Sequence, residues 1–165
     1  MLAIRTVLHP TDFSDRSDFA FRLPCTLARD YGARLVVVHV AEPAVPIYGN
    51  GVVIPPPQNS LEPLRARLHR LLPRDPKVRV EHRLAEGDAA TEILRLAQEA
   101  QADVIVMGTH GRRGLARMLM GSVAEKVVRK ALCPVVTVKL PAPQSPPPGE
   151  STPEAVGRSA EGAGV

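Results

Sequence analysis

A glycine-rich turn holds the residues of this sequence that are best suited to bind a ligand. Residues 107–114 read Met-Gly-Thr-His-Gly-Arg-Arg-Gly, follow a short apolar run at 103–106, and precede a Gly-Ser pair at 121–122 that opens an amphipathic segment. A turn between a strand and a helix collects backbone N–H groups at the positive end of the helix dipole. Arg112 and Arg113 add fixed positive charge. The turn therefore predicts a site for phosphate groups.

The spacing of the glycines distinguishes this turn from the commoner nucleotide-binding motifs. No Gly-Lys-Ser or Gly-Lys-Thr occurs, and the pattern is not G-x-G-x-x-G. Two residues separate Gly108 from Gly111, and nine residues then precede Gly121 and Ser122. This pattern resembles that of the ATP-binding branch of the universal stress protein family. Its position after the fourth strand of an α/β pattern makes the resemblance more specific.

The resemblance covers residues 2–139 apart from an insertion, and it implies an adenine-nucleotide site. In ATP-binding members, the Asp that matches Asp12 lies near the adenosine, and the Val that matches Val40 meets adenine through its backbone. The glycine loop and the Gly-Ser pair hold the ribose and phosphates. The implied cofactor is ATP, with Mg²⁺ as an optional companion. With the charges of the turn and the N–H groups of the helix start added, the predicted nucleotide-binding residues are Pro10, Thr11, Asp12, Val40, Met107, Gly108, Thr109, His110, Gly111, Arg112, Arg113, Gly121, Ser122 and Val123.

Several of these residues also have a purely structural interpretation. Asp12 is suited to an Asx turn, in which its side chain bonds the backbone that follows. Ser122 begins a Ser-x-x-Glu pattern with Glu125, which is typical of a capping box at a helix start. Arg112 and Arg113 fit solvated loop charges equally well. The glycines themselves could serve only to allow positive φ in a tight connection. The sequence leaves both interpretations open.

No catalytic constellation accompanies the turn. The sequence lacks a G-x-S-x-G elbow, a motif with paired carboxylates, and an H-x-G-H motif. The five histidines have neither i, i+4 pairing nor a cysteine at zinc spacing, so we predict no metal site, and we interpret His39 as a core histidine. We therefore predict a nucleotide-binding sensor or regulator of a stress response and not an enzyme. A slow ATPase and a protein-interaction module without nucleotide remain as alternatives.

The amino-acid composition narrows the classes of molecule that this protein could bind. The formal net charge of +4 suits an anionic ligand, while an aromatic content of 3% argues against stacking on single-stranded nucleic acid. No apolar run approaches the ~18 residues of a membrane span. Cys25 and Cys133 form no C-x-x-C pair, and they are interpreted as buried, reduced thiols of a cytoplasmic protein. Four arginines on one segment predict a solvated helix face: Arg65, Arg67, Arg70 and Arg74.

Stretches with the apolar spacing of a strand alternate along the chain with stretches that have the apolar spacing of a helix, and they predict the elements that position these residues. Strands are expected at 3–8, 34–40, 78–84, 103–107 and 134–139, and helices at 14–31, 60–72, from Asp88 to about 100, and at 122–131. This alternation predicts an α/β fold with an open five-stranded parallel sheet and helices on both faces, similar to the Rossmann-like adenine nucleotide alpha hydrolases. Ligands of such sheets bind beyond the carboxyl ends of the strands, where the strand order reverses. A reversal between the first and fourth strands would bring the loop at 9–12 next to the glycine-rich turn at 108–114.

The remaining segments set the domain boundaries. Residues 1–140 are expected to form one domain similar to the nucleotide-binding domain of universal stress proteins. In this domain 41–59 is rich in Pro and Gly and is expected to be a flexible insertion that could cover the site. Residues 141–165 contain six Pro and four Gly and are expected to be a disordered tail. Pro24 is expected to kink the first helix. The β-branched run at 135–138 ends the sheet, and an unprotected edge predicts a homodimer through this strand.

Overall fold

The computed structural model describes residues 3–43, 61–109 and 120–140, together with the backbone of 47–49 and 52–54. The insertion at 41–59 contains two short strands that the sequence analysis did not predict, while the expected tail at 141–165 lies outside the described residues. In chain order the elements are β1 (Thr6–Pro10), α1 (Asp15–Ala20), α2 (Arg22–Tyr31), β2 (Arg34–Ala41), β3 (Ile47–Gly49), β4 (Val52–Ile54), α3 (Glu62–His69), β5 (Val80–Glu86), α4 (Ala89–Glu99), β6 (Val104–Gly108), α5 (Ser122–Lys130) and β7 (Val135–Val138).

The predicted five-stranded parallel sheet is confirmed. Its strand order is β5-β2-β1-β6-β7, and every neighbouring pair runs parallel, whereas β3 and β4 pair antiparallel with each other. The chain first builds outward from β1 through β2 to β5, and then returns to the other side of β1 for β6 and β7. The strand order therefore reverses between β1 and β6, and this is the arrangement that brings the loop after β1 next to the end of β6.

Two apolar layers cover the sheet, and alternate residues of each strand supply them. On β2, Val36 and Val38 join one layer while Leu35 and Val37 join the other, and all four are fully buried. The first layer packs against α4 and α5, and the second against α2 and α3. Burial on both faces explains why this strand reads as a continuous apolar run. None of the helices in the described part of the chain is long and apolar enough to cross a bilayer.

The first helical segment is divided into two helices. Ser14 caps α1, because its side chain accepts from the N–H of Ser17. Phe21 then separates α1 from α2, one turn before the proline. Pro24 has no N–H to donate to the carbonyl of Ala20, so the helical bond that would span Phe21 cannot form. Pro24 itself is the third residue of α2, where an N–H has no intrahelical partner in any case.

The boundaries of the other elements differ from the expected ones by a few residues. Gly32 ends α2 in the left-handed region at φ 63°, and Asp88 caps α4 by accepting from the N–H of Thr91. The second expected helix is shorter and occupies only Glu62–His69. The interpretation of Cys25 and Cys133 as buried thiols was wrong, since both free cysteines are only half-buried. Burial of their sulfurs still raises both pKa values, that of Cys25 to about 11.

Candidate functional site

The carboxyl edge of the sheet opens between β1 and β6. These strands pair only at Val7 with Val104 and at Leu8 with Ile105, whereas β1 stays paired with β2 as far as Pro10. The loop after β1 and the end of β6 therefore leave neighbouring strands on either side of a gap. Ligands of open α/β sheets occupy such gaps.

Pro10 and His9 together explain why the two strands separate here. If the register continued, the nitrogen of Pro10 would face the carbonyl of Val106, but proline has no N–H to donate. The side chain of His9 provides the donor instead, with 2.8 Å between its Nδ1 and the Val106 oxygen. Because a carbonyl only accepts, Nδ1 carries the proton and Nε2 holds a lone pair. The imidazole of His9 thus replaces one backbone hydrogen bond between β1 and β6 at the start of the gap.

Burial makes this histidine a weak base. His9 is fully buried against Phe21, with ring centroids 5.3 Å apart, and its Nε2 has no hydrogen-bond partner among the described residues. A proton on Nε2 would place a cation in an apolar layer without an acceptor. Desolvation by burial accordingly lowers the pKa of His9 from 6.5 to about 4, although the bond to Val106 and the charge of Asp12 oppose the change. The sequence analysis did not single out this residue, and the His-Pro pair at a strand end was the available signal.

The β1–α1 loop, residues 11–14, is fixed by its own side chains. The buried hydroxyl of Thr11 accepts from the N–H of Phe13 at 3.0 Å and from the hydroxyl of Ser17 at 3.0 Å. Oδ1 of Asp12 accepts from the N–H of Ser14 at 3.1 Å and from its hydroxyl at 2.7 Å. The Asx turn considered for Asp12 is therefore present. It engages Oδ1, so the turn is compatible with a ligand at the half-buried carboxylate.

Two residues from other elements hold this loop against the sheet. The Nδ1 of His39 lies 2.8 Å from the carbonyl oxygen of Thr11, and its ring packs on Phe13 with centroids 4.3 Å apart. His39 is thus a core histidine, as predicted. From α3, Arg67 donates to the carbonyl of Phe13 at 2.9 Å. The predicted solvated arginine face is confirmed, because all four arginines are exposed. The helical pattern could not show that Arg67 also bonds a carbonyl 54 residues away.

The end of β6 and the start of α5 form the other side of the gap. Met107 is buried in the apolar layer, and Gly108 and Thr109 are half-buried at the strand end. The N–H of Gly121 donates to the carbonyl of Thr109 at 2.7 Å, which places the first turn of α5 beside that end. The side chain of Met107 therefore faces the core, and any contact of this residue with a ligand would use its main chain.

The first turn of α5 has no side-chain cap. Gly121 occupies the capping position with extended backbone, and the carbonyl of Gly121 accepts from the N–H of Glu125 at 2.9 Å. Ser122 is consequently the first helical residue, so the capping-box interpretation of Ser122 was wrong. The N–H groups at Ser122 and Val123 belong to the first turn, where an α-helix offers them no partner of its own. A helix start of this kind suits an anion.

Val40 lies at the same edge on β2. The carbonyl of Val38 accepts from the N–H of Thr11, so the backbone of Val40, two residues further on, faces the side on which β1 has already ended. His110, Gly111, Arg112 and Arg113 lie outside the described residues. In the described ranges, no group of three or more His, Cys, Asp or Glu side chains is placed to hold a metal ion.

Known proteins resemble this chain in sequence and in fold. A model of the Universal stress protein family matches residues 3–139. A universal stress protein of Methanocaldococcus jannaschii is 32% identical over 141 residues, covering 83% of each protein. The crystal structure of a universal stress protein in complex with cAMP is 27% identical, with a TM-score of 0.60 over 83% of this chain and 98% of that chain. The structure of the universal stress protein from Archaeoglobus fulgidus in complex with dAMP is 25% identical, with a TM-score of 0.59 over the same shares.

Proposed function

Since the chain belongs to the universal stress protein family, we propose that it binds an adenine nucleotide between β1 and β6. The observation that carries the proposal is the gap itself, with a rigid carboxylate loop on one side and an uncapped helix start on the other. Two relatives with the same fold are complexes with cAMP and dAMP, which are both adenine nucleotides. The chemistry of this edge agrees with such a ligand.

The two sides of the gap suit different parts of the nucleotide. Asp12, with Oδ1 fixed by Ser14, is a hydrogen-bond acceptor for the adenosine, and the backbone of Val40 faces the same side. The N–H groups of Ser122 and Val123 suit the phosphates, and the charges of Arg112 and Arg113 in the glycine-rich turn suit the same end. We propose ATP as the ligand, with Mg²⁺ on its phosphates where it is bound as the metal complex. We propose binding and not turnover, as a sensor or regulator in a stress response.

Titration calorimetry with ATP, AMP and cAMP tests the proposal. The matched variants are Asp12→Asn and Asp88→Asn, because each aspartate uses Oδ1 to bond the residues that follow it. An asparagine retains that acceptor and removes the charge. We expect the wild-type protein to bind ATP, Asp12→Asn to bind it roughly tenfold more weakly, and Asp88→Asn to bind it unchanged. Equal affinity in all three proteins, or no binding by the wild type, would reject the site.

We further propose a homodimer through β7, in a cytoplasmic protein. In the described part of the sheet β7 is an edge strand, with Val136 37% exposed. The carbonyls of Pro134 and Val138 accept from β6, so the N–H of Thr137 faces the open side of the strand. The two free cysteines agree with a reducing compartment.

The substitution Thr137→Pro tests the dimer selectively. It removes the outward N–H and leaves the pairing with β6 in place, since an edge strand tolerates proline on its open side. We expect the wild type to sediment as a dimer and Thr137→Pro as a folded monomer. A folded variant that stays dimeric would place the interface elsewhere.

A further inference from the structure

We propose that Arg67 is a positioning residue for the nucleotide site, acting through Phe13 on the carboxylate of Asp12. The inference rests on the proposed function, which places Asp12 beside the adenosine. Arg67 itself is not among the residues that the family resemblance assigns to the nucleotide. It lies on α3, which begins after the 41–59 insertion.

The conformation of Phe13 requires external support. Its φ is 60°, in the left-handed region that residues with a side chain rarely adopt, and a bulky aromatic residue adopts it at a cost. Such conformations persist when the surrounding contacts determine them completely, and they are concentrated at functional sites. Phe13 directly follows Asp12, so its backbone sets the direction in which the loop leaves the candidate site.

Arg67 makes two of the contacts that hold Phe13. Its Nη2 donates to the carbonyl oxygen of Phe13 at 2.9 Å, and the centre of its guanidinium lies 4.6 Å from the centroid of the Phe13 ring. A planar guanidinium can bond a carbonyl and stack on a ring at the same time, which an ammonium group does less well. The ring also packs on His39, and the N–H of Phe13 donates to Thr11. The N–H, the carbonyl and the ring of Phe13 each have a partner.

The turn at Phe13 is what brings Ser14 back to Asp12. Both the N–H and the hydroxyl of Ser14 bond Oδ1 of Asp12, and the Ser14 hydroxyl also accepts from the first turn of α1. If Phe13 relaxes to negative φ, Ser14 moves away and Oδ1 of Asp12 loses both donors. Arg67 therefore acts on the direction of the Asp12 carboxylate without touching it.

The helix that carries Arg67 is itself firmly packed. Leu68 is 1% exposed, and α3 packs against β2 and β5. Arg65, on the same helix, is exposed as Arg67 is, but it pairs with Glu62 at 3.4 Å and not with the β1–α1 loop. Arg65 is therefore the matched control, because its removal changes the charge of α3 by the same amount and leaves Phe13 untouched.

A double-mutant cycle on ATP affinity tests the inference. The variants are Arg67→Met, which retains the length and helix propensity of the side chain, Arg67→Lys, Arg65→Met, and Arg67→Met combined with Asp12→Asn. We expect Arg67→Met to weaken ATP binding roughly tenfold, Arg67→Lys to restore part of the loss, and Arg65→Met to bind as the wild type does. In the Asp12→Asn background, Arg67→Met should change the affinity by less than about twofold, because its effect passes through that carboxylate.

Each outcome of the cycle has one meaning. A wild type that binds no adenine nucleotide rejects the proposed function itself. A wild type that binds ATP, together with a folded Arg67→Met that binds equally well, overturns the role of Arg67. If Arg67→Met lowers the ATP affinity by the same factor in the wild-type and the Asp12→Asn background, the role of Arg67 is overturned too, because that result indicates a general structural effect. If urea denaturation shows that Arg67→Met is unfolded, the same cycle with Arg67→Lys decides between these outcomes.

Discussion

Acidification should destabilise this protein through one buried histidine. His9 bonds the Val106 carbonyl with Nδ1–H, and its Nε2 has no partner in the described part of the chain. Protonation places a charge at that nitrogen inside an apolar layer. The perturbation is therefore a change in pH, and the variant His9→Asn removes the imidazole that responds to it. An asparagine places an N–H donor close to the position of Nδ1 and does not titrate in this range.

The magnitude follows from the two pKa values. The unfolded chain takes up the proton below pH 6.5, whereas the folded protein takes it up only near pH 4. Between these values the unfolded state binds more protons, so the free energy of unfolding falls as the pH falls. A pKa difference from 6.5 to about 4 corresponds to about 3 kcal/mol. This stabilisation is fully present above pH 6.5 and is lost as the pH reaches about 4.

Urea denaturation followed by circular dichroism measures the effect. The free energy of unfolding is determined at pH 7.5 and at pH 4 for the wild type and for His9→Asn. The surface carboxylates titrate in both proteins, so their contribution cancels in the comparison. We expect the wild type to lose about 3 kcal/mol more than His9→Asn over this range. Equal losses in the two proteins would refute the argument that a buried, unpaired Nε2 controls the pH dependence.

Two further predictions concern stability and reactivity. Gly32→Ala should lower the free energy of unfolding by about 1 kcal/mol and the melting temperature by roughly 3 °C. The cost is only conformational, because φ is 63° at this position and an added Cβ would meet nothing within 4 Å. An unchanged melting temperature would show that the backbone relaxes. Cys25, with a pKa raised from 9.0 to about 11, should react with iodoacetamide at pH 8 about 100-fold more slowly than in urea-unfolded protein. Equal rates in the two states would mean that burial does not control this thiol.

The sequence was sufficient to predict the sheet but not all the contacts at its edge. The continuous apolar run of β2 determines burial on both faces, and the alternation of strands and helices determines a parallel order, so both predictions were confirmed. The capping-box interpretation of Ser122 was wrong, because the capping pattern is local while the bond from Gly121 to Thr109 sets where α5 begins. The role of Arg67 depends on a contact with Phe13 that no local pattern encodes.

The proline at the end of β1 also shows what the sequence can and cannot predict. The absence of an N–H at Pro10 is readable from the sequence, and it implies that one carbonyl of the next strand needs another donor. Which strand lies beside β1, and which side chain reaches Val106, depend on the tertiary fold. Sequence reasoning could therefore predict that the ladder ends at Pro10, but it could not assign the replacement to His9.

The central claim is that this protein holds an adenine nucleotide, and the most direct test is to denature the purified protein and identify what it releases. Chromatography with mass detection should find an adenine nucleotide, with ATP as the expected species, at close to one molecule per chain. A protein that releases none, and that also fails to bind added ATP with Mg²⁺, would contradict the account. The gap between β1 and β6 would then be a feature of the fold alone.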